Sequence, residues 1–532
     1  MSIERLHHPA IKLLCGNGLD LPGQAARARA TWLPGREGRA PLLVIALLWA
    51  RDCTDVVRTL EACLDGLLAD FYSTPAGWSE AQAARQVLAA LNQQLFRQRQ
   101  AGRSTAQLHA GLLLVQGAEA QFFQAGSIGL QRFQHTALTR LMGREGLQLG
   151  TQAELALVQH HLLLSAGERV LMAPQPLLDV ADLQGWRGLD AELDTPALQT
   201  LLTPLLQAPG AAVLLQPGAA EQAAVKTARA HWPAVQHAQP GVQLDGWVLL
   251  SACPFGPPGR LFRVTDPCGR EALLWLAEQA ADEVFWQREW VLRRSLVSSL
   301  PHVLSSHQPR EHAFVLLEPP ASGMRSLVDW MAAHGPVDGL TLLALLEQLI
   351  AAVRGLQRRG MQGLWLDPRN ILVNDGGRVL LLPEHAALIP GVPRQALPVE
   401  AVPLAPEVRS GQALDGRADQ FALAALAYWL FCGRWPDVAR ADVDGNSRYV
   451  ALASFSVQLP VGWDGVLARA LAPRPEARFE ALSEFELALR QPLLTQREPR
   501  LHTGRDRSPW RLIVLGLLLA HLGIGLWLSL NG

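Results

Sequence analysis

Lysine is nearly missing from this chain. Lys12 and Lys226 are the only two in 532 residues, and arginine supplies the rest of the basic charge. Chemistry that depends on a compact, titratable ammonium is therefore excluded from residues 227–532. The Ala/Leu/Gly/Pro-heavy make-up points to a GC-rich coding bias behind this preference and leaves the exclusion standing. Net charge is also lacking: it is −1, with a pI near 7.0. No global field then draws in nucleic acid or an acidic partner. Cysteines are few and scattered (Cys15, Cys53, Cys63, Cys253, Cys268, Cys432), with no C-x-x-C and no paired spacing. That pattern argues against a disulfide frame or a zinc site and reads as buried thiols in a reducing compartment. Residues 1–10 carry charge and histidine but no apolar core, so no secretory signal is read there.

What is present includes one long apolar run. Residues 512–530, LIVLGLLLAHLGIGLWLSL, carry no formal charge and can span a hydrocarbon core; a buried core helix is the competing reading. Arg497, Arg500, Arg505, Arg507 and Arg511 fall in or beside a basic juxtamembrane segment, 492–511, and only Asn531 and Gly532 follow the run. The expectation is a C-terminal tail anchor in the inner (cytoplasmic) membrane, single-pass, with everything before it in the cytoplasm. Trp510 and Trp527 suit the two interfaces, and Gly516 with Ala520 could seat a second copy as a homodimer.

Residues 1–216 read as the first globular domain. A buried strand is expected at 41–48, helices at 55–71 and 79–97 with Ser79 as N-cap, and strand-like runs at 110–115, 120–124, 130–133, 161–165 and 169–172. Strands flanking a helical pair indicate an α/β sandwich. With FYSTPAGWS, AQFFQAGSIGLQRF and GERVLMAPQP in this order, the domain resembles a bacterial type 2C serine/threonine phosphatase. That family holds two metal ions through aspartates, because hard cations need oxygen ligands around an activated water. Here the matching positions hold Trp49, Ser127, Gln175 and Gly210, and no acid occurs between Leu21 and Arg36. Asp52, Asp55, Glu61 and Asp65 read as a solvated helix face, and His160-His161 point to opposite sides of a strand. The resemblance therefore implies a pseudophosphatase without a metal cage.

Residues 217–245 read as a linker, partly helical at 219–231, and 246–491 as a second domain. MQGLWLDPRNILV (361–373) followed by VLLLPEHA (379–386) resembles the catalytic core of protein kinases, an α+β bilobal fold. Laid on that pattern, the loop histidine is Gly363, the catalytic aspartate is Trp365, and D-F-G is Pro383-Glu384-His385. The loop PFGPPG (254–259) replaces amide donors with prolines, and Trp275 stands where the phosphate-binding lysine would be. With no lysine after Lys226, no shifted alignment restores one. The helix glutamate that would pair with it corresponds to Glu289, which reads as a surface residue. Asp367 and Glu384 are the substitute acids to weigh, and Asn370 survives as a vestige of cofactor binding. Glu407 of Ala405-Pro406-Glu407, Arg478 and Asp419 match structural positions; a buried Glu407–Arg478 pair is expected.

The order of the two domains and the apolar run resembles the bacterial bifunctional serine/threonine kinase/phosphatase family, over nearly the whole chain. The family's catalytic signatures are degenerate here. Three functions stay open: a non-catalytic membrane-anchored scaffold or regulator in signalling that binds a protein partner; a kinase with rearranged groups; and a nucleotide sensor without turnover. ATP with Mg²⁺ or Mn²⁺ is implied only by the latter two. No nucleic-acid partner is expected.

Overall fold

The computed structural model describes residues 2–8, 11–36, 38–52, 55–134, 137–141, 147–183, 198–199, 202–203, 208–218, 231–306, 308–439, 449–455, 459–497 and 510–530. These fall into two compact units, one of Met1–Trp330 with Ala351–Leu397 and the other of Met331–Ile350 with Pro398–Gly532.

The first unit opens with β1 (Ser2–His8), β2 (Ile11–Asn17), β3 (Ala25–Leu33) and β4 (Leu42–Arg51). Helices α1 (Val56–Tyr72) and α2 (Glu80–Gln100) follow, then β5 (Gln107–Gln116), β6 (Glu119–Ala125), β7 (Ile128–Gln134), β8 (Ala137–Leu141), β9 (Val158–Leu163), β10 (Arg169–Pro174), α3 (Gln175–Leu183) and β11 (Ala211–Pro217). The strands form two antiparallel sheets, ordered β1-β2-β11-β10-β7-β8 and β3-β4-β5-β6-β9. Their facing sides share one core, in which Ile45, Leu47 and Trp49 of β4 lie with Leu13, Met172 and Val213. α3 packs through Leu177, Leu178 and Ala181 on the outer side of the first sheet. β3 shows why the layers form. Its alternation turns Ala26, Ala28 and Ala30 into the core and Arg27 and Arg29 outward, toward α1. There Glu61 accepts from Arg27 (3.1 Å) and Arg29 (3.0 Å), and Asp65 pairs with Arg29. Glu61 and Asp65 thus tie helix to strand instead of facing solvent alone. Ser79 caps α2, accepting from Gln82 N at 3.2 Å.

The same unit continues with a five-stranded antiparallel sheet, β12 (Gln243–Leu244), β13 (Trp247–Ala252), β14 (Leu261–Thr265), β15 (Glu271–Leu276) and β16 (Phe314–Leu317), in that order. α4 (Glu283–Arg294) follows β15, capped by Asp282, which accepts from Phe285 N at 2.9 Å. Residues 219–230, which make up nearly all of the expected linker helix, lie outside the described residues. Residues 231–245 are not a free linker: Trp232 is buried, Ala281 N donates to its carbonyl (2.8 Å), and β12 extends the sheet. Further along come β17 (Arg325–Ser326), α5 (Leu327–His334), α6 (Gly339–Arg358), β18 (Gln362–Leu364), β19 (Ile371–Val373), β20 (Val379–Leu381) and β21 (Ala386–Leu388). Asn374 closes the β19–β20 turn by accepting from Arg378 N (2.9 Å), with Gly377 at φ +72°.

The second unit is helical: α7 (Pro406–Arg409), α8 (Arg417–Cys432), α9 (Trp463–Ala470), α10 (Leu482–Arg497) and α11 (Trp510–Leu530). α8 is buried almost all round and ends on Gly433 at φ +70°. Gln420 and Phe479 exchange two hydrogen bonds (3.2 and 3.1 Å), fixing α8 against the loop before α10. Among the described residues, one helix is long and apolar enough to cross a membrane by length and composition, α6; 56% of its apolar window is buried inside the protein, as in a core helix. α11 carries a shorter described apolar stretch, Gly516–Trp527, whose side chains are exposed, Leu522 at 64% and Trp527 at 63%. The side chains of Arg497, Arg500, Arg505, Arg507 and Arg511 lie outside the described residues. Of the cysteines described, Cys15 and Cys63 are buried, but Cys253 and Cys432 are half-buried and Cys268 is exposed, so the uniform burial expected of the thiols does not hold.

Candidate functional site

The period of β15 decides what Trp275 does. Leu274 and Leu276 face the sheet's own core, so Leu273 and Trp275 face the opposite way. Trp275 is 2% exposed, and the Arg288 guanidinium of α4 stacks over its ring at 5.0 Å. The ring at the lysine position is thus covered by Arg288, the residue before Glu289. Glu289, one residue on, is fully buried and not a surface group: it accepts from Arg293 (2.8 Å) and Arg310 (3.2 Å). Burial alone would raise its carboxyl, but Arg310 and Arg293 together hold it below the usual range. The i, i+4 spacing of Glu289 and Arg293 was a readable signal; Arg310, from a loop, was not.

Glu384 is buried and engaged on three sides. Arg260 pairs with its carboxylate, Asn370 Nδ2 donates to it at 3.0 Å, and Arg288 donates to its backbone carbonyl at 2.9 Å. The loop at 254–259 folds down beside it. Phe255, Gly256 and Pro257 are buried, and Gly256 N donates to Arg369 O at 3.0 Å. A Cβ on Gly256, already at φ +78°, would fall 3.2 Å from Leu382, immediately before Pro383. The loop tip thus packs over the segment where a metal-binding aspartate would lie, and Pro383 itself is buried.

Asp367 is 6% exposed and bound by its neighbour: Arg369 donates through its backbone N (2.9 Å), Nε (3.0 Å) and NH2 (2.6 Å). It caps the short turn that carries Asn370. Gly363 sits at φ +66°, and the half-buried Trp365 stacks on His385 at 5.6 Å, their backbones joined by Trp365 N to His385 O at 3.1 Å. In the second unit Arg478 donates to both Glu407 oxygens at 2.6 and 2.9 Å, with both side chains buried. Asp419 is fully buried in α8.

In the sandwich, Trp49 stacks on His109 at 4.4 Å and donates to Gln24 at 3.3 Å, with Arg51 over its ring. Ser127 N donates to His109 Nδ1 at 3.0 Å, and Ser127 O accepts from Gln175 N at 3.0 Å. Gly210 abuts the Leu202 backbone, and its carbonyl accepts from Gly18 N at 2.7 Å. Burial drives the His109 imidazole down to about 4, helped by Arg51. Where the resemblance would put metal ligands there are an indole, an imidazole and backbone amides. Among the described residues no three His, Cys, Asp or Glu side chains converge. His160 packs on Phe122, and His161 lies near Glu119.

No family model matches the chain. It is similar to the serine/threonine-protein kinase PknI of Mycobacterium tuberculosis, 29% identical over 266 residues, covering 47% of this chain and 42% of the relative. It is also similar to the serine/threonine-protein kinase Pkn1 of Myxococcus xanthus, 30% identical over 176 residues, or 29% of this chain and 24% of that one. The chain thus spans less than half the length of the curated relatives it matches. Among solved structures, the Mycobacterium tuberculosis PknI kinase domain is 25% identical and wholly covered by 48% of this chain, with a TM-score of 0.37. About half of the chain is a protein-kinase-like domain, homologous to these serine/threonine kinases.

Proposed function

We propose that the chain is a membrane-anchored fusion of a pseudophosphatase sandwich and a pseudokinase, acting as a non-catalytic scaffold or regulator for a protein partner. The observation that carries this reading is the packed cleft of the kinase-like domain. A nucleotide–metal complex needs a cation for its phosphates and free carboxylates for its metal. Trp275 stands in place of the cation, Glu384 is engaged by Arg260 and Asn370, and Asp367 is held by Arg369. These residues do not fit ATP with Mg²⁺ or Mn²⁺. Trp49 and His109 likewise leave no oxygen cage in the sandwich, whose type 2C character belongs to this proposal along with the limits 1–216 and 246–491. α11 supplies the anchor, in the cytoplasmic membrane, with both domains on the cytoplasmic side and Gly516 and Ala520 available to a second copy.

The kinship with enzymes named as serine/threonine kinases favours a second reading, a kinase with rearranged groups. In it Asp367 leaves Arg369 to act as base and Glu384 leaves Arg260 to take the metal. Thermal melting of the full chain in lipid nanodiscs, with and without millimolar ATP and Mg²⁺ or Mn²⁺, tests both. A nucleotide at one hundred times its dissociation constant stabilises the native state by about 2.7 kcal/mol, a shift of several degrees. The scaffold reading expects no shift. A clear shift abandons it for a nucleotide sensor, and phosphate transfer lost in Asp367→Ala or Glu384→Ala establishes the kinase.

A further inference from the structure

The first unit holds a cavity of about 650 Å³ whose lining includes neither Trp275 nor Glu384. Its walls come from the end of β3 and the loop after it, the end of α1, the end of α4, and the loop 302–310. Arg36, Arg293 and Arg310 line it together with His302, and no carboxylate is among its lining residues. The acids that balance these arginines are Glu80, paired with Arg36, and Glu289, paired with Arg293 and Arg310. Neither acid belongs to the wall, so the charge presented inward is positive. The rest of the wall is apolar or hydroxylic. Phe71 lies under Arg36 at 5.8 Å, and Tyr72 and Leu296 stand at 68% and 76% exposure. The Ser306 hydroxyl is buried with no hydrogen-bond partner among the described residues. A chamber of this size, with convergent donors on an apolar wall, has the build of a small-molecule site.

We propose that this cavity binds a small, soluble organic anion, one phosphate or carboxylate head joined to an apolar or aromatic body. The head meets Arg36 and Arg293, and the body lies against Phe71 and Leu296. Such a ligand bridges the sandwich and α4. That helix is already fixed there: Asp70 pairs with Arg294, Trp290 Nε1 donates to Asp70 O at 3.1 Å, and Trp78 packs edge-on to Trp290 at 5.3 Å. Occupancy would therefore tighten the joint between sandwich and kinase-like sheet, which makes the site regulatory whatever the cleft does.

The test is calorimetric titration of the full chain in zwitterionic nanodiscs with phenyl phosphate, against inorganic phosphate as the control that has the head but no body. Phenyl phosphate should bind with one site per chain, and inorganic phosphate at least tenfold more weakly. Leu296 is exposed, so its substitutions spare the fold. Leu296→Glu should weaken binding roughly three- to tenfold and Leu296→Lys should hold or tighten it, as a charge at the mouth acts on an anion. A merely structural effect would move both variants the same way. No heat at millimolar phenyl phosphate, or equal affinity in the two variants, overturns the proposal. So does binding abolished by adding anionic lipid to the discs, which would assign the head group to a membrane lipid.

Discussion

The Trp275–Arg288 pair offers the most direct test of how the cleft is built. Truncating Trp275 to alanine empties a site that is 2% exposed, and losses of this kind run to about 3–5 kcal/mol. Arg288→Met keeps the stem of the side chain but removes the guanidinium from the ring at 5.0 Å and from the Glu384 carbonyl at 2.9 Å. The hydrogen bond accounts for about 1–2 kcal/mol and the cation–π contact for about 1–2 kcal/mol at a desolvated ring. Each single variant loses the stacking term, and the double variant loses it once. The double-mutant cycle should therefore show a coupling of about 1–2 kcal/mol. The coupling is confined to one sheet, so the local opening of that sheet is the quantity to read. Hydrogen exchange of the β15 amides, Glu271–Leu276, reports the opening free energy of this sheet directly. Additivity within about 0.4 kcal/mol would refute the stacking argument. It would also remove the reason for regarding the lysine position as rebuilt.

Other outcomes follow from single observations. Glu407→Ala leaves the buried Arg478 guanidinium uncompensated and should cost about 3–5 kcal/mol in urea unfolding of the helical unit, whereas Glu407→Ala with Arg478→Met should recover part of that loss. His109 has its imidazole lowered to about 4 from an ordinary 6.5, so the unfolded chain takes up that proton first. Its contribution is complete above about pH 6.5 and declines as pH falls toward 4, by about 3 kcal/mol in all; the acid limb of the stability profile should be flatter in His109→Phe, and an unchanged limb would remove His109 from the account. Gly77→Ala would place a Cβ 2.3 Å from the Trp286 ring, so a loss of about 1–3 kcal/mol and faster exchange in α4 are expected; a neutral result would mean the ring is free to move aside.

Much of the architecture was legible because periodicity is local. The all-apolar run at β4, the Ser79 cap of α2 and the β19–β20 turn could each be read from a dozen residues. What could not be read was partnership across distance. Ala26, Ala28 and Ala30 make β3 a strand only because an opposing sheet buries them, and small residues carry a weak signal by themselves. Glu289 looked like a surface acid because Arg310 comes from a loop with no pattern of its own. The pairing of residues 231–245 with the five-stranded sheet, in a stretch rich in Ala, Pro and Gln, was hidden for the same reason.

The changed positions also make physical sense together. A buried carboxylate facing an apolar side chain would carry its desolvation cost with no compensating charge. The Trp275 indole offers a carboxylate no partner, and the residue that covers it is Arg288, which also donates to the Glu384 carbonyl, while Glu289 turns to Arg293 and Arg310. Glu384, one residue after Pro383, is met by Arg260 from just before β14 and by the amide of Asn370. Asp367 is met by Arg369 within its own turn. An acid left without a partner in this core would cost about 1–3 kcal/mol or more. Here every acid of the cleft named above has an arginine partner.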